Sequence, residues 1–366
     1  MSKNIYTDIS EPAPTAQATP SPNPHHQNPT AYRFEFLGTG LAYFKIWIVN
    51  LVLTILTLGI YSPWAKVRRL RYFYGNTKLN NRTFDFTANP KRILVGRLIA
   101  IGIYLVVSTV WRFSPEVAIA GSALLFVIYP WLMRSSLRFM ARNSQYNNVR
   151  FAFNGGLGAA YGLFIAILLL LLLNIISFGL LLPLTWWMFK RYQFNETYFG
   201  QLKFNFNTSI WDVYKACILP MIILILVALA LIAIGLLSKN LNEGGFSITH
   251  WLILIAYLSM LLVIPLMQGY VHKAIWGKLT LGNNRFELVN FSPLKFAFIH
   301  LTNYFAIILT LGLLYPWAAV RIHRYKTETL SLIAYDNFDA IATPSVDNVS
   351  PLGEEISDVF DFDVSW

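Results

Sequence analysis

Residues 57–72 read TLGIYSPWAKVRRLRY, and residues 310–325 read TLGLLYPWAAVRIHRY. In both stretches an apolar run passes through Thr-Leu-Gly into a Pro-Trp step, then into a basic, aromatic segment. Proline ends or kinks a helix because it has no N–H to donate to the preceding turn. Tryptophan and tyrosine favour the headgroup level of a bilayer, and arginine reaches phosphate while its stem stays in the apolar zone. The two stretches therefore predict a duplicated unit in which a membrane helix ends and a basic interfacial segment begins.

Composition agrees with a bilayer setting. Hydrophobic residues make up 55% of the chain and charged residues 13%, against about 25% charged in ordinary soluble domains. Runs such as 161–184 and 218–237 reach the span of about 20 apolar residues that a membrane helix needs. Seven apolar segments are predicted, at 42–64, 91–111, 116–134, 158–184, 211–237, 250–270 and 294–317. Asn89-Pro90, Ser114-Pro115 and Ser292-Pro293 place a capping side chain before a first-turn proline, and Ser209 with Asp212 has capping-box spacing. The first segment is expected to act as an uncleaved membrane anchor.

The Pro-Trp signature extends beyond its two clearest copies. Pro63, Pro130, Pro183, Pro265 and Pro316 are each followed eight residues later by a cation: Arg71, Arg138, Arg191, Lys273 and Arg324. Aromatic pairs come next, at Phe84/Phe86, Phe151/Phe153 and Phe204/Phe206. The predicted organisation is a disordered Pro-rich tail (1–31), a three-helix unit (32–150), a second such unit (151–285), a partial third (286–330) and an acidic tail (331–366). Phe34/Phe36, Phe151/Phe153 and Phe286/Leu288 open the three units. Alternation there and over 76–86 is compatible with strand-like hairpins or with irregular interfacial loops. The fold class expected is an all-α polytopic membrane protein, with about seven transmembrane helices and short strand-like interfacial loops.

Charge placement strains that topology. Three crossings per unit should invert the next unit, yet basic residues follow the helices on both predicted sides. One side holds Lys66, Arg68, Arg69 and Arg71 with Arg134, Arg138, Arg142 and Arg150; the other holds Lys190, Arg191, Lys203, Lys273, Lys278 and Arg285. Gly59, Gly179 and Gly312, each four residues before a proline, would permit the first, fourth and seventh segments to break and re-enter instead. No Lys or Arg follows Lys326, while nine acidic residues do. That tail is a solvated appendage or a competitor of anionic lipid for the basic loops.

Soluble-enzyme motifs are absent. No phosphate loop, nucleophile elbow or zinc-protease motif occurs, the histidines are scattered, and the single Cys217 reads as a packing residue. No catalytic residue, cofactor or metal is assigned. Two sets of residues remain as site candidates. Asn50, Asn174, Asn303 and Arg97 fall inside predicted spans, where polar groups either pair between helices or line a pathway. Trp64, Arg68, Arg71, Arg138, Arg191, Trp317, Arg321 and Arg324 suit lipid-headgroup or anion contacts.

Residues 34–38 (Phe-x-Phe-x-Gly), residues 50–64 (NLVLTILTLGIYSPW), Arg71-Tyr72, Asn76-Thr77 and the copy ending in Tyr315-Pro316-Trp317 resemble the YjgN-like family of bacterial inner-membrane proteins, domain of unknown function 898. The resemblance covers about residues 32–330. It implies a multi-pass protein of the bacterial cytoplasmic membrane and brings no catalytic residues. The function expected is transport or channel-like handling of a small or amphipathic solute. A non-transporting envelope scaffold or anionic-lipid-interacting protein competes with it, and a membrane enzyme ranks third. The partners expected are membrane lipids, anionic ones foremost, and not nucleic acid.

Overall fold

The structure, a computed structural model, describes residues 29–335 apart from 114, 178 and 238–247. Nearly all of the Pro-rich N-terminal stretch, and the acidic stretch from residue 336 onward, lie outside the described residues.

The described chain alternates helix pairs with strand hairpins. Strand β1 (Thr30–Phe36) enters helices α1 (Gly40–Leu56) and α2 (Ser62–Gly75), which lead to hairpin β2 (Thr77–Leu79) and β3 (Arg82–Phe86). Helices α3 (Pro90–Phe113) and α4 (Pro115–Asn143) lead to β4 (Ser144–Tyr146) and β5 (Val149–Phe153). Helices α5 (Leu157–Ile176) and α6 (Leu182–Asn195) lead to β6 (Thr197–Phe199) and β7 (Leu202–Phe206). Helices α7 (Ile210–Leu237) and α8 (Ile248–Trp276) lead to β8 (Leu279–Leu281) and β9 (Asn284–Leu288). Helices α9 (Pro293–Leu309) and α10 (Tyr315–Glu328) return to β10 (Leu330–Ala334).

The strands close into one antiparallel barrel in the order β1-β10-β9-β8-β7-β6-β5-β4-β3-β2. Closure is made by β10, which pairs with both β9 and β1. The expectation of an all-α protein with about seven transmembrane helices is thus corrected: a closed barrel of short strands joins the helices. Strands of three and five residues carry too few alternations to declare themselves in sequence. Their partners are set by long-range pairing, so closure is invisible locally. Leu330–Ala334, which straddles the boundary between the partial third unit and the stretch read as an acidic tail, supplies the closing strand.

Tight turns hold the hairpins in register. Asn80 and Asn81, and Asn147 and Asn148, all have positive φ, as two-residue hairpin loops of the primed type require. Gly200 and Gly282 take the positive-φ position in the other two turns.

The three apolar segments at 42–64, 158–184 and 294–317 each break in two. At the breaks Leu58 and Gly59, Gly179, and Leu311 and Gly312 are left-handed. The backbone there satisfies itself, as a turn in lipid must. Gly59 N–H donates to the Thr54 carbonyl at 2.7 Å, and Gly312 N–H to that of Ile307 at 2.8 Å. Thr57 Oγ1 accepts from Tyr61 N–H at 2.9 Å, and Thr310 Oγ1 accepts from Leu314 N–H at 3.1 Å. At the middle break Asn174 Oδ1 takes this role, accepting from Leu181 N–H at 3.0 Å. The Thr-Leu-Gly motif is therefore a helix-reversing turn. Its tips are apolar and bare: Leu58 is 94% and Leu311 95% exposed.

Gly59 offers a clean measurement of the turn. A Cβ there would touch nothing within 4 Å, but φ is +91°. Gly59→Ala is expected to destabilise the fold by about 1–3 kcal/mol through backbone strain alone. Gly102→Ala, in α3 and equally unobstructed, should stabilise it by about 1 kcal/mol. Denaturant unfolding in detergent reads both.

Each pair runs antiparallel. The start of α1 meets the end of α2 through Tyr43 and Tyr72, whose ring centroids are 5.3 Å apart. Tyr192 on α6 reaches back to the Gly156 carbonyl, and the Lys278–Asp212 ion pair ties the end of the α7/α8 pair to its start at 2.7 Å. Successive helices pack side by side, and α10 packs on α1 to close the ring. Among the described residues four stretches, Ile119–Asn143, Leu157–Ile176, Ile210–Leu236 and His250–Trp276, are long and apolar enough to cross a membrane.

Candidate functional site: a capped central cavity

The strand period of two puts both members of each Phe-x-Phe pair on the same, inward face of the barrel, one step apart along the strand. Phe34, Phe84, Phe151, Phe204 and Phe286 line a central cavity. Their partners Phe36, Phe86, Phe153 and Phe206 are buried, the first three of them packed against helices. Phe86, for example, lies with Val67, Ile93, Phe139 and Met140. Register then brings one cavity phenylalanine opposite Leu79, Tyr146, Phe199, Leu281 or Leu332 at each junction between hairpins. The result is an aromatic collar inside the barrel. Phe34 stacks on Phe84 at 6.1 Å, Phe84 meets Tyr146 at 4.7 Å, Phe151 meets Phe199 at 4.9 Å, and Phe204 stacks on Phe286 at 6.1 Å.

Above the collar the cavity measures about 650 Å³. Its walls come mainly from the returning helices. Arg69, Phe73 and Tyr74 stand on α2, His272 and Trp276 on α8, and Ile322, His323 and Lys326 on α10; α9 adds His300, Asn303 and Tyr304. Among the described lining residues there is no carboxylate. His323 Nε2 lies 3.2 Å from Thr77 Oγ1, and its ring abuts Phe36 and Phe73. Lys326 Nζ lies over the Phe296 ring at 5.7 Å and close enough to Lys190 for the two charges to repel. His272 Nε2 is sealed from solvent with no hydrogen-bond partner among the described residues.

The intramembrane candidates do not share one axis. Asn303 lines the cavity and is 1% exposed. Its Nδ2 donates to the Ala318 carbonyl at 3.2 Å, and its Oδ1 accepts from Arg321 at 3.1 Å. Arg321 also donates to Thr302 Oγ1 at 2.6 Å. Asn174 caps the α5–α6 turn. Asn50, at the position matching Asn303, is buried with its Oδ1 unpartnered among the described residues. Arg97 on α3 donates to Ser62 Oγ, bracing the turn between α1 and α2.

The basic-aromatic candidates divide into staples and surface groups. Arg71 donates to the Phe86 and Ala88 carbonyls at 3.0 and 3.1 Å, and Arg324 donates to the Gly38 carbonyl at 2.7 Å. Their neighbours act alike: Tyr72 donates to the Thr39 carbonyl at 2.7 Å, and Tyr325 hydroxyl accepts from Ser292 N–H at 2.8 Å. The Arg-Tyr step thus ties a returning helix to backbone where a strand gives way to an outgoing helix. Gly155 is held to glycine by the same junction, since a Cβ would lie 2.6 Å from the Tyr192 hydroxyl and 2.7 Å from Phe153. Trp64 stacks on Tyr61 at 5.9 Å. Arg68 lies over Tyr61, Arg191 over Trp187 and Arg321 over Trp317, at 5.9, 5.0 and 5.1 Å. Arg138 is half-buried on α4, and Trp317 is 41% exposed.

Sequence reasoning passed over Arg69, His272, His300, His323 and Lys326 as cavity residues. The Phe-x-Phe alternation was compatible with strands but signalled no collar, and nothing local signalled that three scattered histidines share one space. Among the described residues they form no group with the makings of a metal site.

Comparisons with known proteins agree on a membrane setting. The family described as "Bacterial protein of unknown function (DUF898)" matches residues 31–359. "Inner membrane protein YjgN" of Salmonella typhimurium strain LT2 is 27% identical over 332 residues, covering 78% of this chain and 84% of the relative. The protein of the same name from Escherichia coli strain K12 is 37% identical over 125 residues, covering 34% of this chain and 31% of the relative. No solved structure matches the chain, and neither the family description nor the relatives' names assign a reaction.

Proposed function

The chain belongs to the DUF898 family and is a protein of the bacterial inner membrane, and from that premise we propose that it handles a small or amphipathic solute in channel-like fashion through its central cavity. The observation that carries this reading is a cavity of about 650 Å³ inside a closed ring of helices, stopped at one end by the aromatic collar. Both ends of every helix pair lie at the barrel, so all hairpins share one face. Arg82, Arg150, Lys203 and Arg285 stand on that face, whereas the 57–61 and 310–314 tips carry no charge. The positive-inside rule assigns the barrel to the cytoplasm. At about 21 Å, α2, α6 and α10 are shorter than the hydrocarbon core of about 30 Å. We read the α1–α2 and α9–α10 pairs as re-entrant, while α4, α5, α7 and α8 hold the stretches long and apolar enough to cross. The recurrence of helix pair and hairpin supports duplication of one unit.

Proteoliposomes test the proposal. Vesicles holding the protein should release at least one of a cationic, a neutral or an anionic amphiphile faster than protein-free vesicles, and Asn303→Trp, which fills the cavity, should slow that release. Release at the protein-free rate for all three classes overturns it. The second reading, a non-transporting scaffold contacting anionic lipid through Arg68 and Arg191, is favoured by the filled barrel lumen and expects that latter result.

A further inference from the structure

The outer face of the barrel carries a basic sector beside the point where the chain leaves it. Hairpin pairing sets Arg150 opposite Gln145, Lys203 opposite Tyr198 and Arg285 opposite Thr280. The three cations thus hold the same register position in successive hairpins, and all three are exposed. Each points away from the lumen, because its neighbour Phe151, Phe204 or Phe286 lines the cavity. No carboxylate stands on any strand from β4 to β8. None of the three cations makes an ion pair among the described residues. Arg285 lies over the Tyr335 ring at 6.0 Å and Lys203 over the Tyr198 ring at 5.8 Å.

The acidic end of the chain starts at the edge of that sector. Tyr335, next after β10, donates its N–H to Asn284 Oδ1 at 2.9 Å and lies under Arg285. Residues 336–366 carry eight carboxylates, from Asp336 to Asp363, and no Lys or Arg. Their point of departure is therefore fixed beside Arg285. The four strand steps from β9 to β5 measure about 19 Å, at about 4.8 Å each. Extended chain covers about 3.3 Å per residue, so Asp347 already reaches as far as Arg150. Attachment through Tyr335 also holds these carboxylates at an effective concentration on the order of millimolar, which an untethered acid would have to match. The closed barrel offers no free edge for an added strand. What this face offers a passing segment is charge.

We propose that the acidic segment 336–366 docks across this sector of its own barrel, its carboxylates set against Arg285, Lys203 and Arg150. The inference goes beyond the solute-handling reading and does not rest on it. It makes the segment a cover that keeps other anions off the basic hairpins. The contact joins exposed charges, so it weakens as salt shortens the screening length from about 10 Å at 0.1 M to about 3 Å at 1 M.

The test is cleavage of the full chain, in a non-ionic detergent at low salt, by a glutamate-specific protease whose sites Glu354 and Glu355 lie inside the segment. A free peptide of residues 345–366 in the same tube reports the activity of the protease. The chain should be cut there about fivefold or more slowly than the peptide. Arg150→Glu combined with Lys203→Glu should bring the two rates together, and so should 1 M salt; unchanged thermal unfolding establishes that the variant folds. A carbodiimide, which takes up water as it joins a carboxylate to an amine, should link Lys203 to a residue between Asp347 and Asp363 of the same chain. Cleavage of the wild-type chain at the peptide's rate, or protection that survives charge reversal, overturns the proposal. So does a set of links that passes over Lys203 or that joins isotopically heavy to light chains, the latter placing the segment on a second copy. An unprotected segment, with short-chain phosphatidylglycerol bound by the wild type and not by the reversed variant, overturns it in favour of lipid. Solute flux is a separate readout, so each reading can fail without the other.

Discussion

Ending the chain at Glu328 is expected to abolish the folded protein, whereas ending it at Tyr335 is expected to leave it intact. The seven residues between hold β10, and β10 closes the barrel by pairing with both β9 and β1. Leu330, Leu332 and Ala334 are buried, and burying each leucine contributes about 1.5–3 kcal/mol. Tyr335 N–H adds a hydrogen bond to Asn284 Oδ1 at 2.9 Å. Removing the strand loses this burial and bares two strand edges, which invite aggregation. Together these losses approach the whole stability of an ordinary domain, about 5–15 kcal/mol. Size-exclusion profile and thermal unfolding in detergent report the outcome. A chain ending at Glu328 that is monodisperse and unfolds like the full chain would mean that the barrel does not depend on β10.

Removing one collar ring carries the next largest effect. Phe204 lies 6.3 Å from Phe151, 6.1 Å from Phe286 and 6.5 Å from Phe194, centroid to centroid, and is 7% exposed. Phe204→Ala should cost about 3–5 kcal/mol, the usual range for an excavated core phenylalanine. The milder pair Phe151→Leu and Phe204→Leu keeps an apolar lumen but thins it. In proteoliposomes that double variant is expected to leak small ions well above the wild-type rate, because the collar fills the barrel below the cavity. Wild-type leakage from a folded double variant would place the barrier elsewhere.

Membrane residence was legible at once, from apolar runs and low charge. The helix breaks were legible as a permission: Gly59, Gly179 and Gly312 stood four residues before proline. The structure adds that Thr57 and Thr310 cap the turns, while Asn174 substitutes in the middle one. The strands were legible only as one of two alternatives, and the barrel was not legible. Phe84/Phe86 and Phe151/Phe153 carried the alternation, but pairing Phe151 with Phe199 or Leu330 with Leu288 joins residues far apart along the chain, and no local pattern encodes such partners. The positive-inside conflict came from assigning seven crossings; with antiparallel pairs, Arg82, Arg150, Lys203 and Arg285 stand on one face. Of the site candidates, Asn303 alone among the intramembrane asparagines lines the cavity, and Arg71 and Arg324 hold backbone carbonyls. Arg69 went unnoticed because its neighbours Arg68 and Arg71 shared the same basic run and only side-chain direction separates them.

In the proposed arrangement, antiparallel helix pairs on a closed barrel put every hairpin on one side of the membrane. Single cysteines at Asn81, Asn148, Gln201 and Asn283, introduced in a Cys217→Ser background, sample the four hairpin turns. A membrane-impermeant maleimide should label all four in inverted membrane vesicles and none in intact spheroplasts. Labelling split between the two preparations would contradict the barrel and restore a chain of simple crossings.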